Sequence, residues 1–386
     1  DPTTVTNPLF PISDLHRVLL MGTVDGFPFR TETTLLPSTK TIDWNGQPVE
    51  TLVSQYVAFL DGRIEEVALD SYAQADDGSV WYFGEDVFNY ADGQVADTDG
   101  TWLAGKDGPA AMIMPGSPQV GDVYRPENSP GIVFEEVTVT SVSETVLGPA
   151  GLIEGAIVTD ELHMDGTREN KIFAPGYGEF LTGSGGTLEA VALALPTDAR
   201  DDPLPAERIT LADGAAAIFT AAEAGDWNNA AATLAAMLTA WDTYQSGDVP
   251  RMIDATMSWA IVELVAAVNA RQPVESRQAA INVARSSLDL QLRYRPVVEI
   301  DYALFDLWAQ QILVDVATED TGAVMGDVTT LEWVWDRIAH TVSDASLVEG
   351  QLASLRAAAD GEDLAGAVEL AAQLRDTIAT LTPTTS

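Results

Sequence analysis

The chain has no cysteine among its 386 residues, three lysines (Lys40, Lys106, Lys171) beside sixteen arginines, and three histidines (His16, His163, His340). Without cysteine there is no thiol nucleophile, disulfide, iron–sulfur cluster or cysteine-ligated zinc. Three histidines leave little material for a Ser-His-Asp triad, and no G-x-S-x-G elbow is present. Walker, Rossmann, H-E-x-x-H and C-x-x-C-H motifs are equally absent. No catalytic signature remains, and the expectation is a protein that is not an enzyme. Long apolar runs are also scarce. The best, "WAIVELVAAV" at 259–268, carries Glu263 and as a run is too short to span a bilayer. The chain opens on "DPTTVTNPLF" with no basic n-region followed by an apolar stretch, so the expectation is that any export signal is already removed or was never there.

What the chain has in excess is negative charge, 59 acidic against 19 basic residues for a net −40. Nucleic acid and anionic lipid surfaces are repelled by such a charge, so neither is expected as a partner. The acids are spread over the whole length, which reads as a solubility device, including in a saline habitat. Hydrophobic residues make up 46%, ample for packed cores, and the length predicts two domains.

The two halves differ in grammar. Up to residue 195, Asn45-Gly46, Asp61-Gly62, Asp77-Gly78 and Asp92-Gly93 recur as type I′ hairpin signals. Between them lie "TLVSQYVAF", "RIEEVALDSYAQA" and "SVWYFGEDVFNY", rich in β-formers. Further strands are expected in "IVFEEVTVTSVSETV" and "IEGAIVTDELHMDGTRENKIFAPG", the latter turning at Asp165-Gly166. "TGSGGT" at 182–187 reads as a loop. The expected fold class is α+β in separate domains, with an antiparallel β meander (sandwich or half-barrel) over 1–195. A proline-rich linker follows at 196–208, and an all-α bundle of seven or eight helices at 209–386. Its signals are a break at Gly225 with Asp226 as cap, an Asp248 cap with Pro250 in the first turn, a start at Pro273 and a split at Gly361. An echo between "AGDWNNAAATLAAM" and "DGEDLAGAVELAAQL" hints at helical repeats.

The aromatic stretch "SVWYFGEDVFNY" raises the question of a ligand platform. In a strand Trp81 and Phe83 face one way and Tyr82 the other, so one platform is excluded and the stretch reads as sheet core. Glu85 and Asp86 likewise point apart.

Within residues 7–180 the strings "NPLFP", "KTIDWNGQPVE", "DSYAQADDGSVWYFGED", "IMPGSPQVGDVYRPE" and "IFAPGYGEF" follow one another. In these the chain resembles a group of uncharacterised secreted or envelope-associated bacterial β-rich proteins. The resemblance implies an extracytoplasmic β module and carries no chemistry with it. The chain departs from it where "ISDLHRVLLMGT" replaces a tight "PGT" turn, and where Asn170 stands in place of a histidine before the lysine.

Three metal readings compete with plain packing. Met112, Met114 and His163 offer the thioether and imidazole donors that copper favours, against methionine as core filler. Glu332, Asp336 and His340 share a helix face and would suit iron, against Asp–Arg pairing with Arg293, Arg295 or Arg337. "ADDGS", "YADGQVADTDG" and "HMDGTREN" suit a loop calcium, although the EF-hand spacing is missing. The sequence reading is therefore an exported envelope protein acting as a non-catalytic binding or scaffolding module for another envelope protein or a small ligand. The alternative is an extracytoplasmic copper- or iron-binding protein.

Overall fold

A computed structural model describes residues 1–184 and 187–381. The chain separates into two compact units, Asp1–Ala91 with Val95–Asp198, and Ala199–Ser386 with Asp92–Gln94.

Among the described residues the first unit has fourteen strands in one sheet. In chain order they are β1 (Arg17–Val24), β2 (Phe27–Trp44), β3 (Gln47–Leu60), β4 (Arg63–Gln74), β5 (Val80–Ala91), β6 (Gln94–Asp97) and β7 (Trp102–Leu103). Next come β8 (Ala111–Met114), β9 (Val123–Ser129), β10 (Val133–Gly148), β11 (Gly151–His163), β12 (Arg168–Ala174), β13 (Gly178–Ser184) and β14 (Thr187–Leu195). The sheet order is β6-β5-β4-β3-β2-β1-β14-β13-β12-β11-β10-β9, with β7 and β8 added on β5. Two meanders are thus joined through the antiparallel β1–β14 pair. The expected antiparallel β region followed by an α region is what the chain forms.

Positive φ at both residues marks the turns Asp25-Gly26, Asn45-Gly46, Asp61-Gly62 and Asp92-Gly93, as type I′ geometry demands. Asp77-Gly78 departs from this, since only Gly78 has positive φ. There the Asp77 carboxylate instead accepts from the Ser79 amide (2.9 Å) and hydroxyl (2.6 Å), and its side chain replaces a backbone turn. In "TGSGGT", Thr182 to Ser184 belong to β13 and Thr187 to β14, with Ser184 paired to Thr187. The expected loop is therefore strand at Thr182–Ser184 and at Thr187; residues 185 and 186 lie outside the described residues. Tyr82 stacks on Tyr72 (4.7 Å between centroids) and Phe83 meets Trp44 edge-on (6.4 Å). Tyr82 and Phe83 are buried in one apolar core with Trp81 packed against it, so the aromatic stretch is sheet core as expected.

The second unit holds eight α-helices among the described residues: α1 (Ala206–Ala224), α2 (Trp227–Gln245), α3 (Arg251–Ala270) and α4 (Pro273–Gln291), then α5 (Val297–Ala317), α6 (Thr321–Ile338), α7 (Ser346–Asp360) and α8 (Leu364–Ile378). Residues 206–208, expected in the linker, form the first turn of α1. α1 packs on α2 and α4, and α5 on α4, α6 and α8. Asp226 caps α2 through the Asn229 amide as expected. Asp248 does not cap α3; the N-cap is Pro250, and the Asp248 carboxylate turns to Arg293. At twenty residues α3 is long and apolar enough to cross a membrane by length and composition. The 259–268 run is lengthened by helix-forming flanks. Ile253, Met257, Ala260, Ile261 and Leu264 are nevertheless buried within the unit.

Candidate metal centre

Strand pairing gathers the polar groups. In an antiparallel sheet, directly paired residues project from the same face. Glu135 on β10 pairs with His163 on β11 and with Glu127 on β9. Glu161 pairs with Glu169 on β12, and Thr159 with Lys171. One face of four neighbouring strands therefore carries Glu127, Glu135, Glu161 and Glu169, one carboxylate to a strand. The network continues to the other end of the sheet, because the Glu127 carboxyl hydrogen-bonds Glu85 on β5, which itself pairs with Asp70 on β4. As β5 and β9 lie near opposite ends of the strand order, this bond means that the sheet is rolled, with these acids on its inner face.

His163 is clamped between two carboxylates, Nδ1 lying 3.2 Å from Glu135 and Nε2 3.3 Å from Glu169. Hydrogen bonds to Glu135 and Glu169 raise its pKa to about 10. Lys171 Nζ lies 3.2 Å from Glu161, 3.4 Å from Glu169 and 4.0 Å from Glu179. Burial opposes its charge, but Glu179, Glu161, Glu135 and Glu169 together hold it protonated. Burial also works against the Glu135 carboxylate, yet Lys171 and His163 overcome it and keep Glu135 ionised. Glu161 takes the opposite state, since burial and then Glu135 push it up against the pull of Lys171. Two neighbouring carboxyls driven apart in this way share protons instead of repelling.

Among the described residues, Glu135, Glu161 and His163 form the group whose donor atoms lie close enough to hold one metal ion, all within 4.8 Å of one another. Beside them Tyr124 on β9 is 6% exposed and its hydroxyl has no hydrogen-bond partner among the described residues. An unpartnered buried hydroxyl is costly, and this one adjoins Glu161 and Lys171 electrostatically. Four carboxylates touch His163 or Lys171; fully ionised, they exceed those two groups in charge.

The other sequence candidates are placed differently. Met114 sits in the aromatic core with Val80 and Trp102, whereas Met112 packs against Tyr124, Val137 and Val139. The register shift between Val80 and Trp81 separates the two thioethers. Met164 is exposed. Glu332 is held by Arg356 through two bonds of 3.0 and 2.6 Å. α6 ends at Ile338, leaving Asp336 and His340 exposed on either side of a helix end. The Glu332, Asp336 and His340 donors are not gathered into one group, because the continuous helix needed for their i, i+4 spacing stops between them. The pairing of acids with arginine is what the helices show, as in Arg337–Asp301 (3.4 Å) and Arg375–Asp306 (2.7 Å). The acidic loops are satisfied locally: Asp165 accepts from Thr167 and Asp97 from Asn89.

Sequence reading found His163 and missed Glu135, Glu161, Glu169, Lys171 and Tyr124. The available signal was a charged residue at every second position of segments otherwise built from β-formers, "FEEV", "DELH" and "RENK". Neither a protein-family model, nor a curated protein, nor a solved structure matches this chain.

Proposed function

We propose that the β unit is a non-catalytic binding module that holds a divalent metal ion between Glu135, Glu161 and His163. The observation that carries this reading is the convergence of those three donors beside the orphaned Tyr124 hydroxyl. One imidazole and two carboxylates make a borderline-hard donor set, with the Tyr124 hydroxyl or a water able to complete four-coordination. Separation of Met112 from Met114 leaves Cu(I) without its soft ligands, so zinc(II) or iron(II) suits the set better. His163 and Glu161 would release their protons to solvent as the ion binds. Lys171 keeps Glu169 and Glu179 as partners and orients the carboxylates that remain. Placement outside the cytoplasm, in an envelope where a second protein or small ligand is met, is supported by the resemblance of residues 7–180.

Calorimetric titration of zinc(II) into metal-stripped protein tests the proposal. One micromolar or tighter site is expected, weakening as pH falls, lost in His163→Ala and in Glu161→Gln, and retained in His340→Ala. Equal binding by His163→Ala and wild type refutes it, with circular dichroism confirming that each variant is folded.

A further inference from the structure

In the helical unit a buried cation lacks its counter-ion. Arg208, in the first turn of α1, is fully buried, and its guanidinium lies 3.3 Å from the centroid of the Tyr244 ring. Nε and both Nη atoms have no hydrogen-bond partner among the described residues. The other fully buried arginines do have acidic partners: Arg17 meets Glu32 at 3.5 Å and Arg293 meets Asp248 at 3.2 Å. Removing a guanidinium from water without an anion is costly, and burial already lowers the pKa of Arg208 to about 10.

The Tyr244 ring is also a wall of an open cleft of about 340 Å³, lined as well by Arg200, Thr243, Ser246, Asp248 and Tyr294. That volume lies in the range of small-ligand sites. The Asp248 carboxylate is taken by Arg293 and by Arg200, which leaves it none for Arg208. Asp202 and Glu207 at the same cleft disfavour an anion of higher charge. Tyr244 is the penultimate residue of α2 and half-buried. Its hydroxyl has a single weak neighbour, that of Tyr294 at 3.5 Å. Helix ends of this kind adjust readily.

We propose that this cleft binds a small hydroxylated monocarboxylate, of the sugar-acid or hydroxy-acid class, whose carboxylate pairs with Arg208 when the Tyr244 ring turns aside. The planar guanidinium matches a carboxylate in bidentate fashion. The hydroxyls of Thr243, Ser246 and Tyr294 meet the polar body.

The test is calorimetry on the whole protein with sodium D-glucuronate, against sodium phosphate and sodium chloride at matched ionic strength. Glucuronate is expected to bind saturably at one site, with phosphate weaker and chloride silent. Arg208→Gln is expected to lose at least an order of magnitude in affinity while its melting temperature holds or rises, because an unpaired buried charge has been removed. Thr243→Val, which leaves the arginine in place, is expected to weaken binding to a smaller degree. The proposal is overturned if wild type shows no saturable glucuronate heat, if phosphate binds as tightly, or if both variants bind like wild type.

Discussion

At the scale of single residues, Asp70 and Glu85 show how the rolled sheet treats its acids. They pair directly across β4 and β5, and Tyr82 donates to Asp70 at 2.7 Å. Burial, then each other's charge and that of Glu127, pushes Glu85 up to about 10; burial, partly offset by the Tyr82 hydrogen bond, brings Asp70 to about 7. The folded protein therefore keeps protons that the unfolded chain releases above the ordinary carboxylate range, and stability falls as pH rises from about 4.5 toward 10. Melting temperatures at pH 5, 7 and 9 in high salt, where repulsion among surface acids is screened, should decline steadily. Glu85→Gln should match wild type near pH 5, flatten that decline and melt above wild type at pH 7 and 9. A Glu85→Gln protein with the wild-type slope would place the titration elsewhere. The sequence made Glu85 and Asp86 look alike. Only strand register shows that Glu85 turns to Asp70 while Asp86 turns out to Lys40 at 2.8 Å. Register depends on bulges such as that between Asp70 and Tyr72, which no local composition announces.

At the scale of elements, one turn recurs four times in the helical unit. Gly225, Arg271, Glu319 and Glu362 all have left-handed φ, between 55° and 69°. In each case the following amide reaches back five residues, Asp226 to Ala221, Gln272 to Ala267, Asp320 to Asp315 and Asp363 to Ala358. This is the Schellman closure, followed by a side-chain cap at Asp226, Asp320 and Asp363. The helices thus form four hairpins with a common corner, and the echo between the α1–α2 and α7–α8 turns is the visible part of that pattern. Three of the four corners lack the glycine by which such a turn is read, so sequence showed one of them clearly. Glu319 and Glu362 are exposed and carry a left-handed backbone at a steric cost. Glu319→Gly and Glu362→Gly are each expected to raise stability by about 1 kcal/mol, measured by urea unfolding. A loss of similar size in both would show that the corners are held by their side chains.

At the scale of the whole molecule, composition and punctuation were enough for the order of β region then α region, because hairpin dipeptides and helix caps act locally. They were insufficient for the metal centre, whose donors come from two strands and meet only once β10 and β11 are in register. The same acidity that keeps the chain soluble hides those donors, since Glu135, Glu161 and Glu169 are three among 59 acids. Their distinction is burial opposite His163 and Lys171. The most direct test is anomalous scattering at the zinc edge from crystals of metal-stripped protein soaked in stoichiometric zinc(II). The account predicts one dominant peak bounded by Glu135, Glu161 and His163, at about 2.0–2.2 Å from each ligand atom. A dominant peak on exposed carboxylates, or beside Glu332 and His340, with the inner face of the sheet unchanged, would contradict it.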